Sequence, residues 1–399
     1  MGEAVRKDGL FHGQLVRRNR FLATPTYVRV HTPEPLPVVH FLEAFTHAGE
    51  GLWGKERLIE SLMLAQRESG TVAPRMVVFE ASSIADVMRG HGFAVSVLES
   101  RHRRLPTRAL PAFVRELQRG PRAVVHTHEY KANVVGRAAR FLGAPMRGLV
   151  ATCHGWTDES AATRFYNALD RQTAFLSDVT TAPDAKMFEH FPARGRRVAV
   201  ANALPAGKRP SEAERVAARA HFDFPSDRTV IGFLARTSAP KGILELLEAA
   251  RRVADAPVLW AIAGTGELDQ YIVDMALPNV RFLGFVAETA RFRAALDVFV
   301  QASHREGLSL SLLEAMRDGL PIIATDVGST TLAVRNGVEA VIVPPRDAPA
   351  LAASARALVR DPDTAARLGM AAQERFAQAF RIDRQHHDFL ELYRSCLRS

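Results

Sequence analysis

Cysteine is nearly missing: Cys153 and Cys396 are the only two among 399 residues. They lie far apart and show no metal-ligand spacing, which argues against a disulfide framework and for a reducing cytoplasm. Long apolar runs are missing as well. The longest are strand-sized and broken by Gly, Pro or charge, so no transmembrane helix is expected. The opening stretch "MGEAVRKDGLFHGQLVRRNR" has no sustained apolar core and no cleavage-site pattern, and it is not read as a secretory signal. Gly2 fails as a myristoylation site because Arg6 stands where Ser or Thr is needed. No repeat of short period is visible.

What is present is an ordinary globular composition, 47% hydrophobic and 24% charged, on a chain long enough for two domains. The net charge of +9 is unevenly placed. Residues 206–399 balance at 24 basic and 24 acidic side chains, whereas residues 101–150 carry 11 basic against 2 acidic, an excess of 9 in one block. Within it, Leu110, Phe113, Val114 and Leu117 recur at i, i+3, i+4 and i+7, one apolar helical face. Arg108, Arg115 and Arg119 lie mostly off that face, and Arg103 and Arg104 precede it. A helix with a solvated basic face accounts for the pattern. The functional alternative is contact of Arg103, Arg104, Arg108 and Arg115 with an anionic membrane surface. Nucleic acid is disfavoured, because no aromatic-studded strand pattern accompanies the charge.

From about residue 37 onward, strand-like runs alternate with helix-length segments. "PVVHFLEAF", "RMVVFEA", "FAVSVLE", "AVVHTH", "RGLVATC", "DVTTA" and "RVAVAN" form a first series. The Pro, Gly and charge of "ALPAGKRPSEAE" then mark a linker. A second series follows with "TVIGFLA", "PVLWAIAG", "VRFLGF", "DVFVQA", "LPIIAT" and "EAVIVPP". This is the rhythm of two parallel, doubly wound α/β sheets. Residues 1–36 are a basic extension without an assigned role. Ligands of such folds bind beyond the carboxyl ends of the strands, so the residues directly after each strand are the candidates for chemistry.

Each strand end has a plain reading beside a functional one. "THAGEGLWGKER" places Gly49, Gly51 and Gly54 before a helix, either a simple turn or a backbone cradle for phosphate or sugar. His126, His128 and His154 end adjacent strands, yet no acidic partner at metal-site spacing completes a metal set. Arg236 and Lys241 flank a turn that opens a helix at Gly242, and two cations there suit a diphosphate. Gly264 and Gly266 lack the third glycine of a nicotinamide-cofactor pattern. "DPD" at 361–363 opens a helical stretch and reads as a helix cap. In "HREGLSLSLLEAM", Glu306 and Glu314 stand eight positions apart. On one helix they would be offset by about 80°. Ser311 and Glu314 also fit a capping box, which explains Glu314 but not Glu306.

In this order the segments resemble a retaining glycosyltransferase of family 4. The resemblance is carried by "GFLARTSAPKG", "AIAGTGEL", "VRFLGFV", "DVFVQASHREGLSLSLLEAMRDGLPIIATDVGS" and "LVRDPDTAARLGMAAQERFAQAF". In the first half it rests on the glycine loop, "VVHTHEYKANVVGRAAR", "ATCHGW" and "VAVAN". It implies the GT-B fold, two Rossmann-like domains facing a cleft: an acceptor-side domain over 37–205 and a nucleotide-sugar domain over 206–378. Residues 379–399 would form a helix packing back on the first domain.

The same resemblance implies roles. Glu306 would bind hydroxyls of the donor sugar, and Glu314 the ribose hydroxyls. Backbone groups of Gly307, Leu308, Ser309 and Leu310 would meet the distal phosphate, and Arg236 and Lys241 would neutralise the diphosphate. His154 would lie near the reacting sugar, Gly51 and Gly54 would face the phosphates, and Gly264 and Gly266 would approach base or ribose. His126 and His128 are assigned to the acceptor side. No cofactor and no metal are expected. The implied partners are a nucleotide sugar and a glycan, lipid-linked or envelope-polysaccharide acceptor, and the implied location is the cytoplasm or the inner face of its membrane. The sequence departs from the family at its spread-out glycine loop and at Asn202, whose neighbours Ala201 and Ala203 replace a Pro-Asn-Gly turn. A nucleotide-sugar epimerase or phosphorylase of the same fold, a Rossmann oxidoreductase and a non-catalytic basic binder remain as alternatives.

Overall fold

The structure is a computed structural model that describes residues 34–44, 52, 54–98, 108–155 and 161–398. Gly49, Gly51, Arg103 and Arg104 lie outside the described residues, as does most of the 1–36 extension.

The first series folds as a seven-stranded parallel sheet. Its strands are β1 (Leu36–Leu42), β2 (Val72–Val78), β3 (Val95–Val97), β4 (Ala123–His128), β5 (Met146–Thr152), β6 (Val179–Ala182) and β7 (Arg197–Ala199). The helices between them are α1 (Gly54–Glu68), α2 (Ser83–Gly90), α3 (Ala109–Arg119), α4 (Tyr130–Phe141) and α5 (Ala161–Thr173). The strand order is β3-β2-β1-β4-β5-β6-β7. β1 and β4 lie at the centre and are buried on both faces, which is why both read as near-continuous apolar runs. One sheet face is covered by α3 and α4 through Phe41, Phe113, Val125 and Val135. The apolar stripe read at Phe113 and Leu117 is therefore core, while Arg108, Arg115 and Arg119 are exposed.

The second series gives a six-stranded parallel sheet in the order β10-β9-β8-β11-β12-β13. Its strands are β8 (Thr229–Leu234), β9 (Val258–Ala263), β10 (Val280–Gly284), β11 (Val298–Gln301), β12 (Ile322–Thr325) and β13 (Val341–Val343). Around them lie α6 (Glu212–His221), α7 (Ile243–Arg252), α8 (Asp269–Met275), α9 (Thr289–Ala294), α10 (Leu310–Arg317), α11 (Thr330–Ala333), α12 (Ala348–Arg360) and α13 (Pro362–Ala379). Asp361 caps α13 by accepting from the Thr364 N–H at 2.9 Å, so "DPD" is a helix start. In each sheet the chain reverses its winding once, between β1 and β4 and between β8 and β11. These two switch points put the candidate residues at the carboxyl ends of central strands.

The last helix, α14 (Ile382–Cys396), crosses back to the first sheet. Leu204 of the linker donates to Phe380 O at 3.0 Å and accepts from Ile382 N at 2.9 Å, which clamps the crossing point. Beyond it, Phe389, Leu392, Tyr393 and Cys396 pack on Val38, Val124, Val150 and Val179. Each such side chain stabilises by about 1.5–3 kcal/mol relative to exposure. Gly148 permits the approach, because a Cβ there would sit 2.5 Å from the Cβ of Cys396. Among the described residues no helix is long and apolar enough to cross a membrane.

Candidate active site

At the second switch point, β8 ends at Leu234 and the chain turns through Arg236 to Lys241 before entering α7. Gly242 makes the turn possible. Its φ is +74°, and a Cβ there would lie 1.9 Å from Ala302 O at the end of β11. The two strand ends are thus pressed together, and Lys241 Nζ reaches Glu306 Oε2 at 2.5 Å. Ser303 Oγ donates to the same oxygen at 3.0 Å. From the other side Gly328, with φ +51°, abuts Glu306 O, where a Cβ would clash at 1.7 Å. Arg236 differs: its side chain is exposed and has no hydrogen-bond or ion-pair partner among the described residues. Gly264 and Gly266 pack on Ala235 O and Thr237 O, where added Cβ atoms would lie at 1.8 and 2.6 Å. Their close backbone approach is made to the Arg236 loop of this chain.

The capping expectation for Ser311 is corrected. Helix α10 begins two residues earlier than the capping box would have it, and Ser309 is its N-cap, accepting from the Leu312 N–H at 3.4 Å. Ser311 Oγ pairs with Ser309 Oγ at 3.1 Å. Glu314 therefore lies in the second turn, where it caps nothing. Its Oε2 accepts from Arg293 Nη1 at 2.9 Å, and Arg293 Nε donates to Asp318 Oδ2 at 2.6 Å. Arg293 is 1% exposed. A buried guanidinium shared by two carboxylates holds Glu314 in a fixed rotamer, with Oε1 outside that bond. Glu314 also lines a cavity of about 370 Å³ with Leu52, Arg57, Leu204, Leu310 and Arg317.

Two helix starts converge beside this region. A Cβ on Gly54, the first residue of α1, would stand 3.3 Å from Leu310 Cδ2 at the first residue of α10. First-turn N–H groups carry partial positive charge and lack intrahelical partners, so two facing helix starts favour an anion. Leu308 is buried and its carbonyl accepts from Asn202 Nδ2 at 3.2 Å. Ser329 Oγ donates to Asp184 Oδ2 at 2.7 Å. Both bonds join the first domain to the second. Gly307 is exposed, with His154 O 3.9 Å from the place a Cβ would take.

At the first switch point the histidines do not stand as expected. His126 and His128, assigned to the acceptor side, are 0% and 1% exposed. They point inward, beneath α14, and are corrected to interior residues. His126 Nδ1 lies 2.7 Å from Tyr393 Oη and its Nε2 lies 2.7 Å from Thr152 Oγ1. His128 bridges His40 at 3.0 Å and His154 at 3.2 Å. Burial pushes the His40 and His154 imidazoles down to about 4, and His126 and His128 well below their ordinary 6.5. Only His154 reaches the cleft, next to Gly307. Glu129, in the left-handed region at φ +74°, follows β4 and pairs with Lys55 Nζ at 2.6 Å. A non-glycine residue held there is strained, as happens at functional sites. Glu43 follows β1 and accepts from Lys131 at 2.5 Å, with burial pushing its carboxyl up.

Sequence reasoning missed His40, Glu129 and Arg293. The i/i+2 spacing of His126 and His128 marks them as sharing one sheet face, and a histidine in the neighbouring strand was the available signal for His40. Nothing in the local sequence marks Arg293 as the partner of Glu314.

Two family models match the chain. One, described as Glycosyltransferase Family 4, covers residues 54–202, and the other, Glycosyl transferases group 1, covers residues 228–361. Glycogen synthase of Mycobacterium tuberculosis is 28% identical over 278 residues, 64% of this chain and 65% of that protein. D-inositol 3-phosphate glycosyltransferase of Geodermatophilus obscurus is 35% identical over 201 residues, 45% of this chain and 44% of that protein. The chain spans less than two thirds of the length of these curated relatives. Among solved structures, HepE of Anabaena in complex with UDP superposes with a TM-score of 0.75 at 21% identity, covering 90% of this chain and 99% of that one. Sucrose-phosphate synthase from Thermosynechococcus elongatus gives 0.72 at 19% identity, covering 90% and 98%. At these identities the structures establish the two-domain GT-B fold.

Proposed function

We propose, from the premise that this chain belongs to the family-4-like glycosyltransferases of the GT-B fold, that it transfers a sugar from a nucleotide-diphosphate donor with retention at the anomeric carbon. The observation that carries the reading is the Lys241–Glu306 pair at 2.5 Å. It stands at a sheet switch point, on the loop that also carries the exposed Arg236. A diphosphate entering there would draw Lys241 and Arg236 to its oxygens and release Glu306 for sugar hydroxyls, which a carboxylate accepts well. The starts of α1 and α10 add backbone donors for the same anion. Stabilising the departing diphosphate is the main electrostatic demand of the reaction.

Glu306 and Glu314 are committed to binding, so a double-displacement route through a carboxylate nucleophile is not favoured. Instead the bond from the anomeric carbon to the phosphate oxygen breaks while the acceptor oxygen bonds on the same face. The acceptor proton passes to the departing diphosphate. No metal is assigned a role, since the cations and helix starts supply positive charge. The donor is UDP- or GDP-linked, a reading supported on the base by HepE, a structure of the same fold solved in complex with UDP. The acceptor is a glycan or a lipid-linked or envelope polysaccharide, in keeping with the exposed basic face of α3 and an anionic membrane beside it.

A thermal-shift panel of UDP-glucose, UDP-galactose and GDP-mannose tests the reading, because a ligand bound only by the folded chain raises Tm. Incubation with the binding donor alone and then with phosphate separates transfer from epimerisation and phosphorolysis. Absence of any shift across UDP and GDP sugars would refute the proposal.

A further inference from the structure

One continuous file of hydrogen bonds runs from beneath α14 to the cleft. Gln66 Oε1 lies 2.8 Å from His40 Nε2, His40 Nδ1 lies 3.0 Å from His128 Nε2, and His128 Nδ1 lies 3.2 Å from His154 Nε2. Strand register makes the file possible. His40 is opposite His126, Leu42 is opposite His128, and His128 is opposite Thr152. Side chains two apart share a face, so His40, His126, His128, Thr152 and His154 all project to one side. Below them on the same face, Val38, Val124 and Val150 form the apolar floor under α14.

The three rings of His40, His126 and His128 hold nitrogens within 4.8 Å of one another, a spacing that a metal would also accept. Each of those six nitrogens, however, already has a hydrogen-bond partner. The one ring nitrogen left over is His154 Nδ1. It has no solvent access and no partner among the described residues.

A neutral imidazole carries one N–H, so each ring in the file donates on one side and accepts on the other. The direction is set at Gln66. Its amide nitrogen donates to Tyr393 Oη at 3.1 Å and its carbonyl oxygen faces His40. His40 must then carry its proton on Nε2, which leaves Nδ1 to accept. His128 in turn carries its proton on Nε2 and accepts at Nδ1, and His154 carries its proton on Nε2. His154 Nδ1 is left as the unused acceptor at the end of the file, on the residue whose carbonyl oxygen lies 3.9 Å from the place a Cβ on Gly307 would take.

We propose that Gln66, His40 and His128 are positioning residues that hold His154 as its Nε2–H tautomer, so that Nδ1 accepts a hydrogen bond from a hydroxyl of the sugar being transferred. That the ligand is a sugar rests on the function proposed above; the tautomer does not. Such second partners fix which ring nitrogen is available in the same way that they do for metal-bound histidines.

The test pairs two substitutions two rings away from the ligand. Asn in His40→Asn keeps an oxygen where Nδ1 accepted from His128. Leu in His40→Leu fills more of the volume but accepts nothing. A packing role ranks Leu as the milder change, and the relay ranks Asn as the milder. The full chain is labelled with 15N-histidine and its ring nitrogens are observed without ligand near pH 7.5, His154 being assigned by its loss in His154→Gln. The expected result is Nε2–H on His154 in the native chain and in His40→Asn, and Nδ1–H in His40→Leu. His40→Leu should also weaken the best-binding nucleotide sugar of the panel about tenfold, with the matching nucleoside diphosphate unchanged. Nδ1–H on His154 in the native chain overturns the proposal without any variant. So does an unchanged tautomer in His40→Leu, or an equal loss in His40→Asn. If the tautomers follow the prediction but no nucleotide sugar binds, the relay stands and the glycosyltransferase reading falls.

Discussion

Lys241 Nζ lies 2.5 Å from Glu306 Oε2, a bond between residues 65 apart that closes the loop after β8 onto the loop after β11. Both groups are partly exposed, and each is the other's partner. Ligand exchange at this pair is what the proposed chemistry requires.

Lys241→Ala and Glu306→Ala should each lower sugar transfer at least about a hundredfold, the usual cost of losing a group that acts on developing charge. Folding should be little affected, because a partly exposed ion pair contributes only about 0–1 kcal/mol. Full transfer in either variant, measured with the donor found by thermal shift, would sink the scheme. Loss of transfer on adding EDTA would contradict metal independence.

Arg293 is different in kind. Replacing it by Met would leave Glu314 and Asp318 together without their shared cation. Breaking such a pair from one side costs about 3–5 kcal/mol. Denaturant unfolding of Arg293→Met should show this loss. Glu314→Gln should keep most of the stability and lose nucleotide affinity, read by calorimetry with UDP and GDP.

The buried histidines make stability depend on pH. Their folded pKa values lie below the ordinary 6.5, at about 4 for His40 and His154. Protonation therefore favours the unfolded chain. The contribution is complete above about pH 6.5 and is lost as pH falls towards 4, at up to about 1.4 kcal/mol per ring and pH unit. Tm measured from pH 8 to pH 4.5 should fall across that window. A flat profile would contradict the neutral assignment.

Tyr393 Oη serves both His126 Nδ1 and Gln66 Nε2. Tyr393→Phe keeps the ring packing and strands those partners, at a cost of about 1–3 kcal/mol. Removing the chain from Phe380 onward should do far more, since it uncovers the valine floor of the first sheet. Equilibrium unfolding of both variants gives the comparison.

Arg108, directly before α3, and Arg115, on it, are exposed. If this face meets an anionic membrane, Arg108→Glu with Arg115→Glu should abolish sedimentation with phosphatidylserine-containing vesicles and leave transfer to a soluble acceptor intact. Each basic residue near such a surface contributes about 1 kcal/mol. Unchanged sedimentation would dismiss the membrane contact.

Much of the architecture was legible before any coordinates. Two series of strand-sized apolar runs, separated by a Pro- and Gly-bearing linker, give two parallel sheets because both-face burial demands continuous apolar strands. Glu306, Lys241, Arg236 and His154 were legible as strand-end residues, since a doubly wound sheet binds ligands there. Ser309 was missed because the capping-box spacing fits Ser311 and Glu314 and not Ser309 and Leu312, and only the actual path of α10 shows which serine caps it. His126 and His128 were misplaced because a strand-end position says nothing of what packs over that face, here Phe389 and Tyr393 of α14 against His126.

By itself, then, the sequence determined which segments become strands and helices and which residues follow the strands, since those depend on local periodicity and turn chemistry. The tertiary structure alone decided who meets whom. The order β2-β1-β4-β5 sets His40, His128 and His154 in one file, and the return of α14 seals it with Tyr393. Arg293 reaches Glu314 from α9 to α10, across 21 positions of the chain. Such pairings depend on strand order, register and helix docking, which are settled by burial summed over the whole chain and leave no mark on any short stretch of it.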